Sequence, residues 1–176
     1  QAVETVMTDL GLSPADPAAA EGWMSHRNTV PEWRDLLEQG LIADTIEVSG
    51  TWSQIEAIYH DVVAALKSVP DCVNASAHSS HVYCSGINLY FTFACMPEDA
   101  AVMGDRYLES WDRALTATAD AGGGIAHHHG SGRLRRDYLH HDLGNNGLAL
   151  LGRLKQAVDP RGIMNPGNLL PLKDTD

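Results

Sequence analysis

Cysteine is scarce in this chain and odd in number: Cys72, Cys84 and Cys95 form no CxxC pair. That argues against a zinc ribbon and against a disulfide framework, leaving free thiols of a cytoplasmic protein as the expectation. Basic charge is short as well. Twelve Lys and Arg against 23 Asp and Glu leave a formal charge of -11, which argues against a nucleic-acid partner, whose phosphates are held by cations. No apolar run approaches the ~20 residues that cross a bilayer, so no transmembrane segment is expected. No secretory signal is visible, and a start at Gln1 rather than Met leads us to expect a piece of a larger protein. The motif GxxxxGK[ST] and the motif HExxH are missing, and Gly130-Ser131-Gly132 lacks the third glycine of a dinucleotide fingerprint.

What is present suffices for an ordinary hydrophobic core, since 44% of the 176 residues are hydrophobic. Residues 1–40 read as helical but broken, at Ser13-Pro14 and Asp16-Pro17 and again at Pro31, with Trp23 and Trp33 as packing anchors. Residues 41–49 read as a strand. Thr51 and Gln54 make a capping box opening a helix whose apolar stripe is Trp52, Ile55, Tyr59, Val62 and Leu66. Two strands over 72–83 and 87–95 follow, joined by a tight hairpin at Cys84-Ser85-Gly86. Pro97 starts a further helix with Ala100, Met103, Tyr107, Trp111 and Ala114 on one face, and the glycine-histidine stretch after it reads as a strand or an extended loop. The expected class is α+β: a ferredoxin-like, split βαβ antiparallel sheet with helices on one face, plus C-terminal helices. Domain boundaries are expected at 1–126 and 127–176.

One sheet face in this scheme carries Asn88, Tyr90 and Thr92, joined by Asn74, Ser76 and His78 if the neighbouring strand keeps parity. A polar sheet face is usually just solvated. Three adjacent imidazoles change that balance, in the stretch Gly122-Gly123-Gly124-Ile125-Ala126-His127-His128-His129-Gly130-Ser131-Gly132-Arg133-Leu134-Arg135-Arg136. On extended backbone His127 and His129 point one way and His128 the other, so they share one centre only across a sharp bend. A metal needs further ligands, and no Cys, Asp or Glu lies at a familiar spacing, although His78, His81, His140 and His141 exist; no metal is expected. General acid-base chemistry suits imidazole better, with glycines admitting a flat molecule and arginines holding an anion.

These residues resemble a known family. Asp44-Thr45-Ile46-Glu47 with Trp52, Ser80-His81-Val82-Tyr83, Leu89-Tyr90-Phe91-Thr92-Phe93, the triplet with Gly130, Gly132 and Arg135, and the Asp159-Pro160 to Asn165-Pro166-Gly167 ending look like the C-terminal part of FAD-linked oxidases of the vanillyl-alcohol oxidase type. The triplet is most similar to alkyldihydroxyacetonephosphate synthases. The resemblance implies a cap sheet roofing the FAD ring, with the FAD-binding domain of the same protein as partner and a small molecule as substrate; a homodimer is left open. It implies Tyr90, His127, His128 and His129 as catalytic, Arg133, Arg135 and His78 as substrate-binding, and Gly130 and Asn165 as cofactor-binding. The implied reaction exchanges an acyl chain for a fatty alcohol without net redox change. Oxidation of a 2-hydroxy acid or alcohol is one alternative, and a free-standing metal- or anion-binding module another. Because the family's pyrophosphate-binding domain has no counterpart here, this chain alone is expected to be inactive.

Overall fold

The structure, a computed structural model, describes residues 1–171. The chain divides into two units, Gln1–Asp35 and Leu36–Asp176. The first holds α1 (Ala2–Asp9) and α2 (Pro17–His26), the latter opened by Asp16, whose side chain accepts from the main-chain N–H of Ala18 at 2.9 Å. Neither helix buries a residue. Trp23 is accordingly 62% exposed and Trp33, at the start of α3 (Trp33–Glu38), 49% exposed. Both side chains stay largely exposed, since none of α1, α2 and α3 carries a buried residue.

The second unit is built on β1 (Ile42–Thr51), α4 (Ile55–Lys67), β2 (Cys72–His78), β3 (Gly86–Cys95) and α5 (Met103–Asp120). The strands form an antiparallel sheet in the order β1-β3-β2. Ile46, Val48, Leu89, Phe91 and Phe93 fall on one face, where Ile58, Val62 and Leu66 of α4 and Trp111, Ala114 and Leu115 of α5 cover them. Phe91 and Phe93 are fully buried, and cutting either to alanine would cost about 3–5 kcal/mol.

Three details differ from expectation. The buried stripe of α4 is Ile58, Val62 and Leu66 with Ile55 beside it, while Trp52 and Tyr59 lie outside: Trp52 precedes the helix and gives its indole N–H to the carbonyls of Tyr83 and Cys84. The hairpin turn does form, with the Tyr83 N–H on the Gly86 carbonyl, but pairing beside it is a single Val82–Ile87 bridge and β2 ends at His78. Asn88 is the cause, since its side-chain oxygen takes the main-chain N–H groups of Ser80 and His81 and bends residues 79–81 away from the ladder. The stretch after α5 is an extended loop, touching the sheet through one Ser49–Gly124 bridge.

Glycine shapes that loop. Gly122, at φ 76°, ends α5 in the left-handed region. A Cβ on Gly123 would stand 2.8 Å from Ile58 Cδ1 and 2.9 Å from Thr118 Cγ2, so only glycine lets the chain cross against α4 and α5 there. Beyond the loop, α6 (Gly132–Arg135) leads into α7 (Leu139–Val158), which is broken at Gly144. Residue 127 lies inside the second unit, and the loop before it is bonded to β1 through Ser49 and Gly124. The last five residues of the expected C-terminal segment lie outside the described residues.

Candidate functional site

The face of the sheet away from the helices is polar, as parity required. Antiparallel register sets Glu47 opposite Tyr90, Ser49 opposite Asn88, Thr45 opposite Thr92, and on the other side His78 opposite Tyr90 and Ser76 opposite Thr92. At one end the triplet lies over this face, where the backbone bends through residues 127–129. The bend brings all three imidazoles to one cluster. His129 Nε2 and the Tyr90 hydroxyl are hydrogen-bonded, the His128 and His129 rings sit edge-on at 4.7 Å, and His78 stacks on Tyr90 at 5.3 Å with 19° between planes.

Glu47 sits beneath this cluster with no exposed surface. Its Oε1 takes the Asn88 amide at 2.7 Å and faces His128 Nδ1 at 2.5 Å and His127 Nδ1 at 3.4 Å; its Oε2 takes the His128 main-chain N–H at 3.1 Å. Burial raises the carboxyl's pKa, but the Asn88 and His128 hydrogen bonds and the His128 and His129 charges outweigh it and hold the group below its ordinary value. Tyr90 is pushed the other way, by burial first and then by the Glu47 charge, so its phenol keeps its proton.

His81 joins from the Asn88-held loop, its ring 4.7 Å from that of His128 and 5.4 Å from that of His127. Among the described residues, Glu47, His81, His127 and His128 each bring one donor atom within 4.8 Å of the others, near enough to share one ion. Glu47, Asn88 and His81 were named from sequence, in the family motif, on the polar face and among the spare histidines, but none was given a catalytic, substrate-binding or cofactor-binding role. Parity pointed to Glu47, since it alternates with Ile46 and Val48, both buried on the helix face. No comparable signal marked Asn88 as the organiser of a loop.

The remaining candidates lie elsewhere. Arg135 is 6% exposed and turned inward: Nε donates to the Ile125 carbonyl at 2.9 Å, one terminal nitrogen to the Glu47 carbonyl at 3.2 Å, the other to the Gly130 carbonyl at 3.3 Å, and the guanidinium lies 4.8 Å from the Trp111 ring. Burial lowers its pKa against the opposing charges of Glu47 and Asp44. Its bonds thus close the loop before and after the triplet and fasten it to β1. Arg133 is exposed, and Gly130 is exposed in the left-handed region at φ 73°. Asn165 stands in the turn after α7, along a separate groove of 630 Å³ shared with Lys155, Asp159 and Leu169. Asp159 orders that turn by accepting from the N–H groups of Ile163 and Met164 and from Lys155.

Known proteins match this arrangement. A family model described as FAD linked oxidases, C-terminal domain, matches residues 1–169. The FAD-linked oxidoreductase YgcU of Escherichia coli strain K12 is 33% identical over 173 residues, covering 90% of this chain and 35% of the relative. Alkyldihydroxyacetonephosphate synthase of Caenorhabditis elegans is 30% identical over 150 residues, covering 79% of this chain and 24% of the synthase. A solved alkyldihydroxyacetonephosphate synthase shares the fold at a TM-score of 0.55 and 24% identity, over 83% of this chain and 24% of that one. The chain thus spans about a third or less of the length of these relatives. Among the described residues no helix is long and apolar enough to cross a membrane. The polar sheet, the triplet above it and the match across 169 residues together show that the chain belongs to the FAD-linked oxidases, as their C-terminal domain.

Proposed function

We propose that this chain forms the substrate-facing part of an FAD-dependent enzyme whose cofactor is held mainly by a further domain of the same protein. The residues here fit one side of a flat ring. Ser76 and His78 are exposed on the polar face and Thr45, Tyr90 and Thr92 partly so, whereas the chain carries no glycine-rich phosphate loop. FAD, when bound, supplies the electron-accepting ring; every other role falls to side chains.

The observation that carries the reading is the Tyr90–His129 pair on that face. A protonated phenol bonded to an imidazole nitrogen is a proton relay: Tyr90 takes a proton from the substrate as it gives its own to His129 Nε2. In the synthase-like reaction the proton leaves the carbon beside a ketone of an acyl-dihydroxyacetone phosphate, the bond from that carbon to the acyl oxygen breaks with the fatty acid leaving as its carboxylate, and the oxygen of a fatty alcohol bonds to the same carbon as the alcohol gives up its proton. Arg133 remains for the phosphate, since Arg135 spends donors on three main-chain carbonyls. The similarity to YgcU supports the second reading, in which the pair takes the hydroxyl proton of a 2-hydroxy acid or alcohol while the cofactor is reduced.

Mixing the FAD-loaded full-length protein anaerobically with 2-hydroxy acids and following flavin absorbance separates the two. Bleaching supports the oxidase, and exchange of labelled fatty alcohol without bleaching supports the synthase. In either case Tyr90→Phe and His129→Ala should lower turnover by about 10²-fold or more. Full turnover in both variants refutes the relay.

A further inference from the structure

The triplet contains three imidazoles, yet only one of them bonds Tyr90. The middle one is tied to the most deeply buried charge of the sheet, and nothing in the relay just described uses that charge. We infer that Glu47 is a positioning residue, which locks His128 from beneath and so sets the register that delivers His129 to Tyr90. This rests on the Tyr90–His129 reading.

The argument is geometric. Glu47 is fully buried and holds His128 twice, by its ring at Nδ1 and by its main-chain N–H, with one carboxylate oxygen for each. Two anchors on one residue leave neither ring rotation nor backbone slip, and the next residue is His129. With Nδ1 turned down to the carboxylate, the far nitrogen of the His128 ring points away from Glu47. Asn88 fixes the carboxylate in turn, giving its amide to Oε1 while its own oxygen holds the loop that carries His81. A buried carboxylate is kept only where donors repay its lost hydration; here the Asn88 amide and the His128 main-chain N–H donate to it, and the His127 and His128 Nδ1 atoms, 3.0 Å from each other, lie within 3.4 Å of it. A carboxylate behind an imidazole, orienting it for a reacting partner, is the general logic by which a base is held in place.

The test compares Glu47→Gln, Glu47→Asp and wild type in the full-length, FAD-loaded protein. Glutamine keeps the length but sets an amide against the Asn88 amide; aspartate keeps the charge at shorter reach. The expected result for Glu47→Gln is a fall in kcat of at least tenfold, with KM within twofold, FAD content unchanged and the protein still folded at the assay temperature. Glu47→Asp should recover part of kcat, and the crystal structure of Glu47→Gln should show the His128 ring released and the His129–Tyr90 bond broken. An unchanged triplet in that structure overturns the inference, whatever substrate the enzyme proves to use. So does loss of FAD or of the fold in parallel with kcat, which makes Glu47 structural only. One-to-one zinc binding by wild type that disappears in His81→Ala also overturns it, because the carboxylate would then serve a metal. Failure of Tyr90→Phe and His129→Ala to affect turnover, with the Glu47→Gln triplet displaced, refutes the relay and leaves the positioning role standing.

Discussion

Replacing Arg135 by methionine keeps the length and apolar stem of the side chain and removes its charge and donors. Three carbonyls, of Glu47, Ile125 and Gly130, then lose their partner in a part of the protein where the side chain was 6% exposed. Hydrogen bonds from a charged donor are worth roughly 1.5–3 kcal/mol each, and removing one member of a buried charged cluster costs about 3–5 kcal/mol. The lower end is the better guide, because the methionine stem still packs on Trp111. A loss of about 3 kcal/mol corresponds to a melting point lower by roughly 10 °C in a domain of this size. Arg133→Met, two residues earlier and exposed, should change stability by about 0.5 kcal/mol or less. Calorimetric melting of the two variants in the full-length protein gives the contrast. Equal melting points would refute the claim that Arg135 clamps the loop and would return it to the candidates for the substrate's anionic group.

Other outcomes follow from single contacts. Gly123→Ala drives a methyl against Ile58, Thr118 and the Ser49 carbonyl and should destabilise by about 1–3 kcal/mol in the same melting assay. Tyr107, half-buried and bonded to Asp44, has its pKa pushed up to about 12 by desolvation and by that carboxylate, so its folded form favours the neutral phenol. Its contribution is therefore complete below pH 10 and lost as pH rises towards 12; the stability gap between wild type and Tyr107→Phe, measured by urea titration, should narrow across that window. Asn88→Ala leaves the N–H groups of Ser80 and His81 without their acceptor, and hydrogen exchange across residues 79–83 should speed up by at least tenfold while α5 is unaffected.

The sheet and its two faces were legible in the sequence because β3 alternates strictly and its polar side chains are short or aromatic, leaving no second register that buries Phe91 and Phe93. The Tyr90 and His78 placements followed from the same parity. The triplet's geometry did not, because extended backbone separates His128 from its neighbours and only the bend over β1 reunites them. Glu47 is 81 residues from His128, and spacing rules reach only along one element. The three carbonyls that Arg135 reaches were hidden for a related reason, since Glu47 lies 88 residues away from it in sequence. Trp52 and Tyr59 kept helical spacing with the true stripe, yet the helix begins at Ile55, and a start three residues late removes Trp52 from it altogether.

The central claim is that Tyr90 and His129 look out from the polar sheet face onto the reacting atoms. A crystal structure of the full-length protein with FAD and a substrate analogue measures it directly. The account predicts the ring against the Thr45, Tyr90 and Thr92 side of the sheet, with an analogue oxygen or the reacting carbon within about 3.5 Å of Tyr90 Oη or His129 Nε2. An analogue bound beyond about 8 Å from both, or a ring packed on the α4 and α5 side, would contradict it.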